Sequence, residues 1–397
     1  MAKRIMILGA SILQLPAITK ALKMGLAPVV VDMNPNAVGF VDGAIKEVIS
    51  TIDVPGIVAA AKRNNVDGVM TLATDMPMRA VAAVAKEMGL VGISNDTALK
   101  ATNKAFMREA LAAHSVPVPK FYRVKDRGEY KKAAEQFSSP FIVKPADNSG
   151  SRGIYLIKDL SDSEQINAAY EYSHQFSRSG DVVVEEYMSG PEVSVETLAI
   201  DGEIHVIQIT DKITTGSPHF VEMGHTQPSR LSEEIKKRIK EVAKAANKAI
   251  GIENGPSHTE IIVTKEGPKI VELGARLGGD CITTHLVPLS TGIDMVEACI
   301  KIALGEKPDL VPSLDCGSAI RYLSQHAGVV REIKGLEESE HMPGVKVVEI
   351  VHDIGETVTE IDNSGSRMGF VIAQGENAND AAEKCKAALE KIIIEIE

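Results

Sequence analysis

Residues 258–279 read HTEIIVTKEGPKIVELGARLGG. Two short apolar runs, IIV and KIVEL, flank the tetrapeptide KEGP. Lys265, Glu266 and Gly267 suit a three-residue hairpin connection with a glycine at its bend. If Thr264 pairs with Pro268, Glu260 falls opposite Glu272 and both point to one face. Cross-strand neighbours lie about 4.5–5.5 Å apart at Cβ. Two carboxylates that close repel unless a cation lies between them or a proton is shared. The hairpin runs on into Arg276 and the diglycine Gly278-Gly279. An acid pair, a guanidinium and an open backbone together suit magnesium, phosphate and an anionic substrate. The plain alternative is an edge hairpin whose glutamates are solvated.

The 397 residues suffice for two or three domains and a large core. With 44% hydrophobic and 24% charged residues the composition is that of an ordinary globular protein. The net charge of −11 argues against a general nucleic-acid binder, which needs a basic face, but leaves room for a nucleotide in a local basic cleft. Cys281, Cys299, Cys316 and Cys385 stand far apart and read as reduced thiols of a cytoplasmic protein. The start, MAKRIMILGASIL, imitates a signal peptide but reads as a first buried strand, because an amphipathic helix follows it. No apolar segment reaches about 18 residues, so no membrane span is expected.

The first 95 residues alternate strand and helix, which predicts an open parallel α/β sheet. The strands are RIMILG, APVVVD, EVIST, DGVMTL and LVGIS. The turn GASILQ has one glycine where a dinucleotide fingerprint needs three. Residues 95–113 read as a helix or helix pair, the second part starting at Asn103-Lys104. Alone, Lys104 would be an ordinary solvated lysine. In 140–157, Lys144 ends an apolar strand where an ammonium needs an anion. The loop DNSGSRG then offers unobstructed backbone N–H groups. It reads either as a flexible hairpin or as a phosphate cradle. VVVEEYM (182–188) and EVSVETLAI (192–200) read as strands paired through SGPE. Residues 204–210 continue that sheet, 211–230 look irregular and polar, and 231–250 are an amphipathic helix. One buried helix is expected from His285 to Gly305. The remainder predicts strands near 318–323, 346–350 and 368–373 and a last helix over 377–396.

This order of parts resembles the ATP-grasp superfamily: a parallel α/β lead, a lysine, VKP with a Gly/Ser loop, VEEY with a trailing glutamate, and two glutamates on neighbouring strands. The likeness is nearest the biotin carboxylase and carbamoyl-phosphate synthetase branch, and there nearest the bacterial L-amino acid ligases. It implies an N-terminal parallel α/β domain over 1–95, an ATP-grasp domain over 96–310 with a lid at about 117–188, and a C-terminal α+β domain over 311–397. It implies that Lys104 and Lys144 contact ATP phosphates, with Ser149, Gly150, Ser151 and Gly153 in the loop above them. Glu185, Glu186 and Met188 would frame adenine and Glu192 would hold the ribose. Glu260 and Glu272 would bind Mg2+, one ion or two, with Mn2+ as a substitute. Arg276 would brace the acyl phosphate. Many members carry Asn where this chain has Gly274, which puts the second ion in question. In HFVEMGHTQPSR, Glu222 and His225 match the Glu and His that the amino acid ligases place beside the acceptor amine.

The implied activity is an ATP-dependent carboxylate–amine ligase acting on amino acids through an acyl phosphate, in a homodimer as is common in this branch. The alternatives are a purine-pathway or carbamoyl-phosphate synthetase-like enzyme acting on formate, bicarbonate or a phosphorylated sugar amine, and an ATP-binding regulatory protein without turnover. The first alternative would need extra basic residues for the sugar phosphate, to which Arg321 and YLSQH could belong.

Overall fold

Five residues with no polar face, RIMIL, make β1 (Arg4–Leu8), an inner strand of a parallel sheet. The structure, a computed structural model, describes residues 2–148, 150, 152–217 and 219–397. β1 lies between β2 (Ala27–Asp32) and β4 (Gly68–Met70), with β3 (Ile45–Val48) outside β2. The crossovers are α1 (Leu15–Lys23) and α2 (Val54–Asn64), and α3 (Met78–Met88) follows β4. The strand expected at LVGIS does not form. Gly89 closes α3 in a left-handed conformation and Ser94 already caps the next helix, so 90–93 simply joins two helices. That helix pair is α4 (Asn95–Thr102) and α5 (Lys104–Ala113). They break at Asn103, whose side chain accepts from the Ala105 and Phe106 N–H groups.

Next comes a small four-stranded antiparallel sheet. It contains β5 (Phe121–Val124), β6 (Phe141–Pro145), β7 (Tyr155–Ile157) and β8 (Val182–Glu186), in the order β5–β8–β6–β7. The helices α6 (Arg127–Ala134) and α7 (Ser163–Gln175) complete this unit. The expected hairpin from β8 into the next strand is not there. β8 pairs only within the small sheet, and β9 (Glu192–Ile200) opens a different one.

The large sheet has eight strands. After β9 it contains β10 (Glu203–Thr214), β11 (Glu222–Gln227), β12 (Gly255–Thr264) and β13 (Gly267–Gly274), with α8 (Glu233–Ile250) between β11 and β12. Residues 211–230, expected to be irregular, therefore supply the end of one strand and the whole of another. Their polarity belongs to a sheet face that looks into a cleft. The single helix expected over 285–305 is broken. After a π-helical turn at Ile282–Leu286, α9 (Val287–Thr291) stops at left-handed Gly292, and Asp294 caps α10 (Met295–Ala303).

The same sheet continues past residue 310 through β14 (Gly317–Tyr322), in the order β13–β12–β9–β10–β11–β14–β18–β16. Between these come β15 (Gly328–Lys334), α11 (Leu336–Glu340), β16 (Val345–Ile350), β17 (Thr357–Val358), β18 (Gly369–Gly375) and α12 (Ala378–Leu389). The last helix is shorter than expected. Ile393–Ile396 leaves it as β19 and pairs with β15, as suits a β-branched run. Val193, Val195, Ile261 and Ile270 bury one face of the large sheet in a core shared with α8 residues Ile239, Ala243 and Ala246. Among the described residues no helix is long and apolar enough to cross a membrane.

The chain passes from the small sheet to the large one at Gly190. Its φ is +152°, and a Cβ there would overlap the Val263 carbonyl oxygen. Gly190→Ala should lower stability by about 1–3 kcal/mol, the cost of forcing atoms into a packed backbone crossing. The urea midpoint is the measure.

Candidate functional site

The decisive hairpin is built differently from the simplest register, yet it arrives at the expected pair. Thr264 pairs with Gly267, so the connection has two residues, Lys265 and Glu266. Between Ile261 and Glu260 the ladder then slips by one residue. Val271 has no counterpart, and Glu260 meets Glu272. Strand alternation alone would set Ile270 and Glu272 on one face. The extra residue leaves Ile270 in the core and turns Glu272 toward Glu260.

A second slip does the same on β11. Lys212 pairs with His225 and Thr214 with Glu222, with an irregularity between Ile213 and Thr214. Glu222 and His225, three apart and so of opposite parity, thereby share the face of Lys212. The register across β9 adds Glu192 to that face, since Glu192 pairs with Ile262. The Lys212 ammonium lies 2.8 Å from Glu192 Oε1 and 3.3 Å from an oxygen of both Glu222 and Glu260. Burial opposes its charge, but the glutamates outweigh this and hold its pKa well above the usual lysine range. Burial likewise raises the pKa of Glu260, yet Lys212 and His258 hold it well below the ordinary carboxylate range. His258 Nδ1 sits 2.6 Å from buried Glu196 and its Nε2 is 3.5 Å from Glu260. Burial would favour the neutral ring, but Glu196 holds its pKa up at about 9.

The small sheet forms the opposite wall. Lys144, at the end of β6, pairs with Glu185 of β8. Glu185 also accepts from Arg108 Nη2 at 2.8 Å. Burial works against the Glu185 charge, but Arg108 and Lys144 bring its pKa down to about 2. For Lys144 burial wins and lowers the pKa. Lys104, at the start of α5, donates to Glu272 Oε1 at 2.6 Å and to the Asn148 carbonyl at 2.7 Å. Between the walls lies a cleft of about 320 Å³. Lys104, Lys144, Glu185, Glu186, Met188, Glu192, Glu222, Glu260, Glu272 and Gly150 all line it. Gly153 packs with its Cα side toward Phe176. Ser149 and Ser151 lie outside the described residues. A larger groove of about 460 Å³ between β10 and α8 contains none of these residues.

Arg276 and His225 are held just beyond the cleft lining. Arg276 makes a two-pronged ion pair with Asp75, Nε to Oδ1 at 3.0 Å and Nη2 to Oδ2 at 3.1 Å. His225 Nε2 is 3.1 Å from Asp280 Oδ2. Asp280 is also gripped by Arg367 through both oxygens, at 3.1 and 2.8 Å. Arg367 lies flat on Tyr322, and its neighbour Ser364 donates to Glu222 Oε2 at 2.9 Å. Thus Glu222 is brought into the cleft, while His225 and Arg276 each face a carboxylate. Arg321 donates to the His225 and Ile320 carbonyls and to Thr226, and it does not line the cleft.

Sequence reasoning missed Lys212 as the centre of the acid group, although an ammonium beside an alternating strand was a signal. It also missed Asp75, Arg108, Asp280 and Arg367. The first two looked like ordinary surface charges of a loop and a helix, and Arg367 comes from far along the chain.

Glu260 and Glu272 offer oxygen donors only. Among the described residues no group of three or more Asp, Glu, His or Cys side chains is arranged to hold a metal ion by itself. That set fits Mg2+, which takes one or two carboxylates, water and phosphate oxygens in preference to a full protein cage.

The family description "ATP-grasp domain" matches residues 137–284, and "L-amino acid ligase C-terminal domain 2" matches residues 321–397. The L-arginine-specific L-amino acid ligase of Bacillus subtilis is 28% identical over 299 residues, 74% of this chain and 71% of that enzyme. The alanine–anticapsin ligase of Bacillus subtilis (strain 168) is 29% identical over 282 residues, 66% of this chain but 59% of that longer enzyme. The crystal structure of an L-amino acid ligase from Bacillus licheniformis superposes with a TM-score of 0.86 at 23% identity, covering 100% of this chain and 99% of that one. At that identity the likeness is one of fold. The chain carries an ATP-grasp domain followed by an L-amino acid ligase C-terminal domain.

Proposed function

We propose that this protein joins the carboxylate of one amino acid to the amine of another at the expense of ATP, releasing ADP and phosphate. The observation that carries the reading is the Glu260–Glu272 pair, set at one cleft that also holds the ammonium groups of Lys104, Lys144 and Lys212. Phosphoryl transfer needs positioning and charge neutralisation more than covalent help, and a wall of ammonium groups facing paired acids supplies both.

In this reading Lys104 and Lys144 hold the phosphates, with Gly150 at the same cleft. Glu185 is fully engaged with Arg108 and Lys144, so its carboxylate sets the lysine. Recognition of adenine then falls to the strand end at Glu186–Met188, and Glu192 takes the ribose. Glu260 and Glu272 hold Mg2+, which when bound neutralises phosphate charge, and Mn2+ substitutes. A second ion would share the same carboxylates, because Gly274 has no side chain to give. A Cβ there would stand 2.5 Å from Asp75 Oδ1 and compete with the grip on Arg276.

The donor carboxylate attacks the γ-phosphorus, ADP departs, and Arg276 steadies the acyl phosphate and the oxyanion that follows. The incoming ammonium loses a proton near Glu222 and His225, and the free amine expels phosphate. The sharing of one strand face by these two residues supports that assignment.

A screen over amino acid pairs should find phosphate release that depends on both partners, with ADP as the nucleotide product. AMP and pyrophosphate would mean adenylation instead. Glu272→Gln should abolish ATP turnover with an unchanged circular dichroism spectrum, and normal turnover would remove the reading. His225→Ala should lower kcat/KM for the amine about 10²–10⁴-fold, the usual worth of a general base, with ATP affinity within about twofold of wild type. Loss of ATP binding with unchanged amine use would show that His225 serves elsewhere.

A further inference from the structure

We propose that Arg108 is a positioning residue that locks the phosphate-binding lysine and the metal-binding hairpin into one geometry, an inference that rests on reading Glu272 as a magnesium ligand. Arg108 is completely buried on α5. Its Nε and Nη2 donate to Glu185 Oε2 at 3.2 and 2.8 Å. Nη2 also donates to the Val271 carbonyl at 2.6 Å. Val271 is the extra residue that turns Glu272 toward Glu260. On its other oxygen Glu185 holds Lys144. A single guanidinium therefore spans the two walls of the cleft, from Lys144 through Glu185 to the irregularity beside Glu272. Lys104, one helical turn earlier on the same face, closes the circuit by donating to Glu272.

Hydrogen bonding for its own sake does not explain this placement. Arg108 Nη1 is buried without a partner. What the side chain does secure is the facing of Glu272 and the seat of Lys144 at once. A planar guanidinium fixes the directions of its donors toward acceptors on two elements, whereas the donors of an ammonium rotate freely and fix neither. Arg108→Lys keeps the charge and gives up one of the two ties. Glu185 makes no ion pair with Glu272 or Glu260, and its two ties run to Arg108 and to Lys144.

The test is the free Mg2+ giving half-maximal activity at saturating ATP. In Arg108→Lys it should rise about tenfold or more, the usual cost of losing a group that orients a metal ligand, and kcat should fall with it. Glu185→Gln should raise it in the same direction. A role in folding alone would lower the melting temperature but leave the Mg2+ requirement of the folded enzyme as in wild type. That result in Arg108→Lys overturns the proposal, and if that variant does not fold, the same result in Glu185→Gln overturns it. Glu272→Gln separates the two levels. An inactive Glu272→Gln beside an unshifted Arg108→Lys removes the role of Arg108 alone, and an active Glu272→Gln removes the metal reading on which it stands.

Discussion

One ammonium holds the cleft face of the large sheet together. Lys212 lies within 3.3 Å of carboxylates from Glu192, Glu222 and Glu260, which come from three different strands. Carboxylates gathered this closely in a half-buried place would repel, and their pKa values would climb until one or more took a proton. The three hydrogens of an ammonium can point to three acceptors, so Lys212 matches the arrangement in the number of its donors and opposes it in sign of charge. Around it the charges alternate: Lys104 on Glu272, Arg108 and Lys144 on Glu185, Arg276 on Asp75, Arg367 on Asp280. Burial raises the pKa of Glu260, but Lys212 and His258 hold it well below the ordinary carboxylate range, so this carboxylate can meet a cation without first losing a proton.

Placing those charges on one face takes two local departures from regular strand pairing. Without the slip at Val271, Glu272 would join Ile270 in the core. Without the slip before Thr214, Glu222 and His225 would point to opposite sides of the sheet. Irregular pairing of this kind recurs beside active sites because it re-aims a side chain while leaving the rest of the ladder paired. Here the surrounding structure supports both slips. Arg108 bonds the carbonyl of Val271, and Arg367 bonds the carbonyl of Glu222.

The C-terminal region is more than a cap. Its strands continue the large sheet, and its Ser364 and Arg367 reach Glu222 and Asp280 beside the cleft. Asp280 and Cys281 both have positive φ, 50° and 58°, just before the π-helical turn. Non-glycine residues stay in that region only when their surroundings over-determine them, and the grip of Arg367 and His225 on Asp280 is such a determinant. The two ends of the site are thus set by elements far apart in sequence: the loop after β4 supplies Asp75 and the segment before β18 supplies Arg367.

Much of this was legible in the residues themselves. Alternating apolar runs and helices announced the parallel sheet, and EVSVETLAI carried polar residues at every second place from Glu192 to Glu196. The order of the lysines, the Gly/Ser loop and the paired glutamates pointed to the ATP-grasp superfamily. These features are local, governed by side-chain periodicity and turn chemistry. Tertiary structure decided the rest. Residues 211–230 looked irregular because their polarity faces a cleft that exists only once the small sheet stands opposite. LVGIS lost its strand to the cap of the following helix, and IIIEI left its helix for a partner strand more than 60 residues away. The acid pair was foreseen through the wrong turn, since only the packed hairpin shows where the ladder slips. Asp75, Arg108, Asp280 and Arg367 gave no sign of themselves, because a charge on a loop or helix is ordinary until burial forces it to find a partner. Spacing along the chain can suggest which groups share a face, but only the folded chain determines which charges must neutralise one another.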